Sequence, residues 1–172
     1  FKNSPQDYFC YLGRICADKC IHLSIQIARK LGIKLKFAGL IPNDSKDYFE
    51  KEVKPYLSST IEYLGEISHE EKKLLLQNST CLLHLNTYPE GFGIPLIEAM
   101  ACGTPIVSSR SASLGEIAGP AITVDPSDPR DIARGLLEAL IMTPARRKAL
   151  IAAQTKWVQK FSWERVAKQT IE

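Results

Sequence analysis

Short apolar runs alternate with longer amphipathic stretches along the chain. The short runs predict β-strands, and apolar residues at helical spacing predict the helices between them. Strands that alternate with helices form right-handed βαβ units, in which helices cover both faces of a parallel sheet. We therefore predict a Rossmann-like, three-layer α/β/α domain. Its six parallel strands are Tyr8–Leu12, Leu35–Ala38, Thr60–Leu64, Cys81–Leu85, Ile106–Ser109 and Ala121–Val124.

The predicted helices begin and end at residues that favour helix termini. Ser68 and Glu71 have the spacing of a capping box, in which each side chain binds the other's backbone amide. Pro95 and Gly103 bound a helix over Ile94–Ala101. The other predicted helices are one with the apolar stripe Cys20, Leu23, Ile27 and Leu31, one over Lys46–Tyr56, and helices that begin at Asp128-Pro129, at Thr143-Pro144 and at Ser162.

The composition is that of an ordinary globular domain, with 172 residues of which 45% are hydrophobic and 24% charged. We find no internal repeat and no long linker, so residues 1–172 are expected to form one domain. The net charge of +3 is too small for a protein that binds duplex nucleic acid. No apolar run approaches the about 20 residues of a transmembrane helix. We expect a cytoplasmic protein. If the chain is part of a longer protein, that protein can still associate with a membrane.

Five cysteines stand at positions 10, 16, 20, 81 and 102 without Cys-x-x-Cys spacing. This odd number and irregular spacing favour buried, reduced thiols over disulfides. A metal ion held by Cys16 and Cys20 would need two further ligands, and the sequence offers only His22 nearby. We therefore predict no metal site and no cofactor.

The loop after the first strand carries the first candidate residues. Ligands of parallel α/β sheets bind outside the carboxyl ends of the strands. Gly13 and Arg14 follow the strand, and Lys19 is expected in the first turn of the next helix, whose terminus is already positive. Two cations at such a terminus suit a ligand with several negative charges, such as a diphosphate. The alternative is that Lys19 pairs with Asp18 or faces solvent.

The segment from Asn86 to Glu98, after the fourth strand, has the strongest pattern. Gly91 and Gly93 allow a ligand to approach the backbone closely ahead of a helix N-terminus. Glu90 and Glu98 bracket this loop. Carboxylates repel phosphates but accept hydrogen bonds from vicinal hydroxyls, so a nucleotide-sugar, with phosphates between two polyols, accounts for both cations and both carboxylates. The alternative for Glu98 is a solvated residue beside a helix dipole.

Two other strand ends can contribute to the same edge. The backbone of Gly65–His69, after the third strand, can hydrogen-bond a flat heterocycle or form only a capped loop. The serine-rich segment Ser108–Ser113, after the fifth strand, can wrap a ligand or be a simple loop. His84 is interpreted as structural or solvated, as is His69.

These motifs together resemble the retaining glycosyltransferases of family 4, whose GT-B fold consists of two Rossmann-like halves. The glutamate pair and its Gly-Phe-Gly loop, followed by a helix and a Gly-Thr-Pro-Ile-Val strand, resemble the family's signature. The resemblance covers almost the whole chain. The other matching segments are Gly13-Arg14 with Lys19 (phosphate binding), Leu64–Ile67 (nucleobase loop), Asp125–Pro129 and Phe161–Glu164.

The resemblance implies that the chain is the donor-binding half of such an enzyme. Because the chain begins at Phe1, just before the first strand, we expect the acceptor-binding N-terminal half to lie outside it. The resemblance implies catalytic roles for Arg14 and Lys19 on the departing diphosphate and for Glu90 on the sugar hydroxyls. It implies donor binding by Gly13, Ile67 (base), Gly91, Phe92, Gly93, Ile94 and Glu98 (ribose).

The implied reaction moves a hexosyl group, of the glucosyl or mannosyl type, from a nucleotide diphosphate to an acceptor hydroxyl with retention. Since no Asp-x-Asp metal motif is present, the cations are expected to stabilise the leaving diphosphate in place of a metal ion. The family's usual residues are replaced in three places, by Cys20 for Gly, by Asn86 for Pro and by Gly115 for Pro. The chain alone is expected to be inactive or weakly active.

Two other functions fit parts of the pattern. In an NADP-dependent Rossmann oxidoreductase, Gly91–Gly93 would open the dinucleotide-binding helix and Arg110 would read a 2′-phosphate, but Leu96 occupies the third glycine position. A non-catalytic nucleotide-sugar-binding module would keep the site without turnover.

The implied donor is a UDP- or GDP-sugar. His69 in the base loop offers no carboxylate for a guanine edge, which slightly favours uridine. The implied acceptor is a sugar or a lipid-linked glycan bound through the N-terminal half, as in polysaccharide biosynthesis.

Overall fold

The computed structural model describes residues 7–110, 113–162 and 167–168. They contain a six-stranded sheet with the strand order β3-β2-β1-β4-β5-β6, in which all pairs are parallel. Each predicted strand is present, and its ends differ from the prediction by a residue or less. The strands are β1 (Tyr8–Leu12), β2 (Lys34–Ala38), β3 (Ile61–Tyr63), β4 (Cys81–His84), β5 (Ile106–Ser109) and β6 (Ile122–Val124).

The helices cover both faces of this sheet, so the predicted three-layer α/β/α fold is confirmed. Helices α1 and α6 pack on one face, around Phe9, Tyr11 and Phe37, whereas α3, α4 and α5 pack on the other, around Cys10 and Leu82. The helices are α1 (Ile21–Leu31), α2 (Lys46–Tyr48), α3 (His69–Asn78), α4 (Ile94–Ala101), α5 (Leu114–Ile117), α6 (Pro129–Leu140) and α7 (Pro144–Val158).

The predicted helix caps are present where the structure describes them. Ser68 Oγ accepts a hydrogen bond from the Glu71 amide at 3.3 Å, and Glu71 Oε2 accepts one from the Ser68 amide at 2.8 Å, which completes the capping box of α3. The side chains of Asp128 and Thr143 cap α6 and α7 by accepting hydrogen bonds from the Arg130 and Arg146 amides. The predicted last helix, beyond Ser162, lies largely outside the described residues.

The start of α1 differs from the prediction. A separate 3-10 turn over Ala17–Lys19 precedes the helix, and Cys20 adopts a left-handed conformation with a φ of 52° between the two. This left-handed residue interrupts the helical phase, so Lys19 does not lie in the first turn of α1. The buried face of α1 is therefore Ile21, Ser24, Ile25 and Ala28 rather than the predicted stripe of Cys20, Leu23, Ile27 and Leu31.

The region predicted as one helix over Lys46–Tyr56 is also different. It consists of a 3-10 turn, the short α2, a π-helical turn over Phe49–Val53 and a second 3-10 turn. Pro55 has no amide hydrogen to continue an α-helix, and fully buried Val53 fixes the preceding turn against the core. The hydrophobic pattern identified a helical region but not the change in helix type within it.

The cysteines have the predicted surroundings. All five are free thiols, and only Cys102 is not fully buried. Burial raises the pKa of the Cys10 thiol to about 12 and raises that of Cys81 further, so both are protonated at neutral pH. Among the described residues, no three His, Cys, Asp or Glu side chains are grouped as metal ligands would be.

A buried glutamine on α7 gives a prediction about stability. Gln154 is fully buried, and neither atom of its amide has a hydrogen-bond partner among the described residues. Because an unpaired buried amide loses its hydration without compensation, Gln154→Met is expected to raise the free energy of unfolding by about 1–2 kcal/mol. Urea unfolding measures this change, with Gln26→Met on exposed α1 surface as the control. A loss of stability in Gln154→Met would contradict the interpretation.

Candidate functional site

The strand order places the loops after β1 and β4 side by side. The chain leaves β1 toward β2 and β3 on one side and returns through β4 to β5 and β6 on the other. Ligands of open parallel sheets bind in the crevice at such a switch point. The register of Phe9 beside Cys81 aligns the two strands, so residues 13–20 and 85–93 meet at their carboxyl ends.

The loop after β1 is fixed by backbone hydrogen bonds to the end of β2. The Gly13 amide donates to Ala38 O at 3.2 Å, and the Ile15 amide donates to Leu40 O at 2.9 Å. Tyr11 Oη donates to the carbonyl of Arg14 at 3.1 Å. Arg14 itself is exposed and forms no ion pair in the described part of the chain, so its guanidinium is available at the edge of the sheet.

The two loops are joined by an ion pair. The Lys19 ammonium contacts the Glu90 carboxylate, although the two residues are 71 positions apart in the sequence. Their side chains are only 17% and 15% exposed. The alternative in which Lys19 pairs with Asp18 or faces solvent is therefore wrong. Cys20 Sγ also lies 3.1 Å from Thr87 Oγ1, which adds a second contact between the loops.

Two residues at the end of β4 complete the surroundings of Glu90. Asn86 Nδ2 donates to Glu90 Oε2 at 2.6 Å, and His84 Nε2 lies 3.4 Å from the same oxygen. The hydrogen bond from His84, together with Lys19, lowers the pKa of Glu90 from 4.5 to about 2. Glu90 is therefore a carboxylate at neutral pH.

His84 and Asn86 are site residues that could not be recognised from the sequence. The sequence favours a structural or solvated His84 and marks Asn86 only as a replacement for proline. The useful signal is their spacing of two at the end of a strand, which directs both side chains to the same face of the sheet. The sequence does not show that the Glu90 side chain contacts this face, so the spacing alone does not mark the two residues as part of the site.

The glycine loop leads into α4 as predicted. Gly93 is the N-cap of α4 with a φ of 84°, and a Cβ atom there would lie 2.8 Å from Leu114 Cδ2. Ser113 Oγ donates to the Glu90 carbonyl at 2.6 Å, which holds the loop against α5. Phe92 and Ile94 are 45% and 59% exposed, and Gly91 is exposed beside them. The loop thus presents backbone and apolar surface at the crevice.

The second glutamate has a partner that the sequence analysis did not identify. Glu98 on α4 forms an ion pair with Lys72 on α3, and their side chains are about one quarter exposed, at 27% and 28%. A paired Glu98 that is only 27% exposed does not fit the alternative of a solvated residue beside a helix dipole. Ile67 lies half-buried just before α3, and the Gly65 carbonyl accepts a hydrogen bond from the Gly39 amide at 2.9 Å. The predicted base loop thus belongs to the same edge of the sheet.

This fold and edge define a class of protein, a Rossmann-like α/β/α domain with a crevice at the carboxyl edge of its parallel sheet. The sequence profile of the family described as "Glycosyl transferases group 1" matches residues 1–157. The chain therefore belongs to this family, the retaining family 4 enzymes with the GT-B fold. The recognition made from the sequence is confirmed.

Curated proteins with similar sequences have the names of glycosyltransferases. The chain is 36% identical over 112 residues to "O-antigen chain mannosyltransferase B" of Escherichia coli, covering 64% of this chain and 29% of that protein. It is 28% identical over 172 residues to "Glycogen synthase" of Mycobacterium tuberculosis, covering 94% of this chain and 41% of that protein. The chain thus spans less than half the length of these relatives.

Solved structures share the fold. The Anabaena protein Alr3699/HepE, crystallised with UDP and glucose, matches with a TM-score of 0.84 at 18% identity, over 96% of this chain and 47% of that one. Sucrose-phosphate synthase from Thermosynechococcus elongatus matches with a TM-score of 0.82 at 25% identity, over 96% of this chain and 44% of that one.

In the described part of the chain, no helix is long and apolar enough to cross a membrane.

Proposed function

We propose that the chain is the donor-binding half of a retaining hexosyltransferase and binds a UDP- or GDP-sugar at the carboxyl edge of its sheet. The observation that carries this proposal is the meeting of Lys19 and Glu90 at the switch point. A cation for phosphate and a carboxylate for hydroxyls stand there side by side. The acceptor site and the rest of the transferase are supplied by residues outside this chain.

The diphosphate of the donor interacts with the loop after β1. Arg14 is exposed at the edge, Lys19 is half-buried, and the Gly13 backbone turns between them and the strand. Charge-assisted hydrogen bonds from such cations are the stronger kind, because one partner is fully charged. Their position suits the charge that grows on the diphosphate as the bond to the sugar breaks.

The two polyols of the donor interact with the two glutamates. Glu90, held ionised beside the glycine loop, accepts hydrogen bonds from the sugar hydroxyls. Glu98 lies on α4, whose N-terminus opens at Gly93, and accepts hydrogen bonds from the ribose. The backbone of Ile67 meets the base. The mannosyl- and glucose-polymer-forming relatives support a hexosyl group, and the structure with bound UDP supports uridine.

Transfer with retention then follows a front-face path. The anomeric carbon–oxygen bond to the diphosphate breaks through an oxocarbenium-like transition state, and the acceptor oxygen bonds the same face. The proton of the acceptor hydroxyl is transferred to the diphosphate oxygen that leaves the sugar. In this chain, Arg14 and Lys19 stabilise the leaving group, and removal of one such preorganised group costs about 10²–10³ in rate. Membership of the glycosyltransferase family argues against the oxidoreductase alternative.

Calorimetry tests this proposal directly. UDP, GDP and ADP, each with and without glucose or mannose attached, are titrated into the wild type and into Arg14→Ala. We expect one nucleotide to bind preferentially and Arg14→Ala to lose about 1.5–3 kcal/mol of binding free energy, as for a charge-assisted bond.

The matched control is Arg146→Ala at the start of α7, at the opposite edge of the sheet, where the side chain is 65% exposed. It should leave binding unchanged. The absence of binding to every one of these ligands, or equal losses in Arg14→Ala and Arg146→Ala, would contradict the proposal.

A further inference from the structure

Donors from three directions meet at one oxygen of Glu90. Lys19 from the β1 loop, Asn86 from the end of β4 and His84 from within β4 all face Oε2. Within the described ranges, Glu90 Oε1 accepts no hydrogen bond. One oxygen of the carboxylate is therefore saturated by the protein, and the other is left as an acceptor.

His84 lies against both of its neighbours at this oxygen. Its Nε2 is 3.4 Å from Glu90 Oε2 and 3.3 Å from Asn86 Nδ2, so the two side chains from the end of β4 contact each other as well as the carboxylate. His84 is 2% exposed, and Nδ1 has no partner among the described residues. The polar contacts of the ring in the described part of the chain are therefore made by Nε2, on the side of Glu90 and Asn86.

Donor binding changes the contact between Lys19 and Glu90, so Glu90 then needs other hydrogen-bond donors. In the proposed function the diphosphate attracts Lys19, whose ammonium is one of the three donors at Oε2. If Lys19 shifts toward phosphate, Glu90 loses that donor at the moment it must accept the sugar hydroxyls. His84 and Asn86 are buried at the end of β4 and do not move with the phosphate.

We infer that His84 and Asn86 are positioning residues that keep the Glu90 carboxylate ionised and oriented, with Oε1 turned to a sugar hydroxyl, while Lys19 interacts with the diphosphate. This inference rests on the proposed function and deepens it. Neither residue touches the donor; both act through Glu90 Oε2. The site would thereby separate recognition of the sugar from recognition of the diphosphate.

The first test needs no ligand. NMR of the ¹³C-labelled carboxyl group follows the titration of Glu90 in the wild type, in His84→Leu and in His84→Gln. Leucine cannot donate a hydrogen bond, whereas the glutamine amide can place its nitrogen near the position of Nε2. We expect the Glu90 pKa to rise from about 2 toward 4.5 in His84→Leu and to stay low in His84→Gln. An unchanged pKa in His84→Leu would overturn the inference.

The second test measures what the sugar adds to binding. Calorimetry compares the affinity for UDP-glucose and GDP-mannose with that for UDP and GDP in the same three proteins. We expect His84→Leu to lose the sugar's contribution, about ten-fold in affinity, and to retain its affinity for the bare nucleotide. His84→Gln should restore the contribution, and Asn86→Ala should behave like His84→Leu.

The two tests separate the inference from the proposed function. Equal losses for nucleotide and nucleotide-sugar in His84→Leu would mean a structural role only, and would overturn the inference. If the wild type binds no nucleotide while the Glu90 pKa responds to His84→Leu as expected, the proposed function fails and the anchoring of Glu90 by His84 stands. Urea unfolding of each variant verifies that the fold is intact.

Discussion

Gly39→Ala is expected to lower the free energy of unfolding by at least about 3 kcal/mol, a large share of the total stability of an ordinary domain. Gly39 follows β2 with a φ of 150°, a region that residues with a side chain rarely adopt. A Cβ atom there would overlap the Gly13 carbonyl oxygen and lie 2.7 Å from the Gly13 carbonyl carbon. Both groups are backbone, so no side-chain rotation can relieve the overlap.

The change should also disturb the site, because the displaced backbone belongs to the loop after β1. The Gly13 amide donates to Ala38 O, and Arg14 is the next residue. We therefore expect Gly39→Ala to weaken nucleotide binding as well as to destabilise the fold. Binding is measured under conditions in which the variant is still native. Chemical unfolding and calorimetry on the same preparation measure both effects.

Substitutions at two other glycines separate the two causes of this stability loss, which are backbone strain and steric overlap of the new Cβ atom. Gly32 has a φ of 65° but open space around a Cβ atom, so Gly32→Ala should cost about 1–2 kcal/mol from backbone strain alone. Gly91 has neither a positive φ nor a close neighbour, so Gly91→Ala should leave stability almost unchanged. If Gly39→Ala costs no more than Gly32→Ala, the loop after β1 is not closely packed against the end of β2.

The order of strands and helices follows from the sequence because each element carries its own signal. The strand β1 is apolar over all five residues and is buried throughout, as expected for the middle of a parallel sheet. The cap of α3 needs only Ser68 and Glu71, three residues apart, and α4 is bounded by Pro95 and Gly103. Local chemistry at short spacing is sufficient for these predictions.

The phase of α1 could not be predicted from apolar spacing alone. Cys20 adopts a left-handed conformation, with a φ of 52°, that glycine favours and other residues seldom adopt. That one residue separates the turn carrying Lys19 from the helix. The buried Ser24, whose hydroxyl has no partner in the described residues, also obscures the stripe, since a polar residue does not mark a buried face.

The partners of the site residues could not be predicted because they depend on packing across the fold. Lys72 is separated from Glu98 by 26 positions, and Lys19 from Glu90 by 71. The sequence places Lys19 after the first strand and Glu90 after the fourth, and it suggests a ligand group for each. It does not show that the two side chains pair with each other.

The interaction of Lys19 with Glu90 leads to the second large prediction. Lys19→Glu should lower the free energy of unfolding by about 2–4 kcal/mol, because it places two carboxylates in a half-buried site. The exposed pair of Lys54 and Glu50, whose side chains are 57% and 56% exposed, is the control. Lys54→Glu should cost about 1 kcal/mol or less.

The charge-swapped variant Lys19→Glu/Glu90→Lys separates folding from binding. It restores opposite charges at the same two positions, so most of the lost stability should return. It also moves the cation to the loop after β4 and places a carboxylate where the diphosphate binds. We therefore expect the nucleotide affinity to stay about 100-fold or more below that of the wild type.

Urea unfolding and calorimetry with UDP and GDP provide the two readouts. If the swap recovers both stability and nucleotide affinity, the ion pair serves the fold alone, and Lys19 has no direct role at the phosphates. If Lys19→Glu costs no more stability than Lys54→Glu, the two loops are not joined at the switch point. Recovered stability with lost binding is the expected result, because an ion pair depends only on opposite charges, whereas a diphosphate depends on where the positive charge stands.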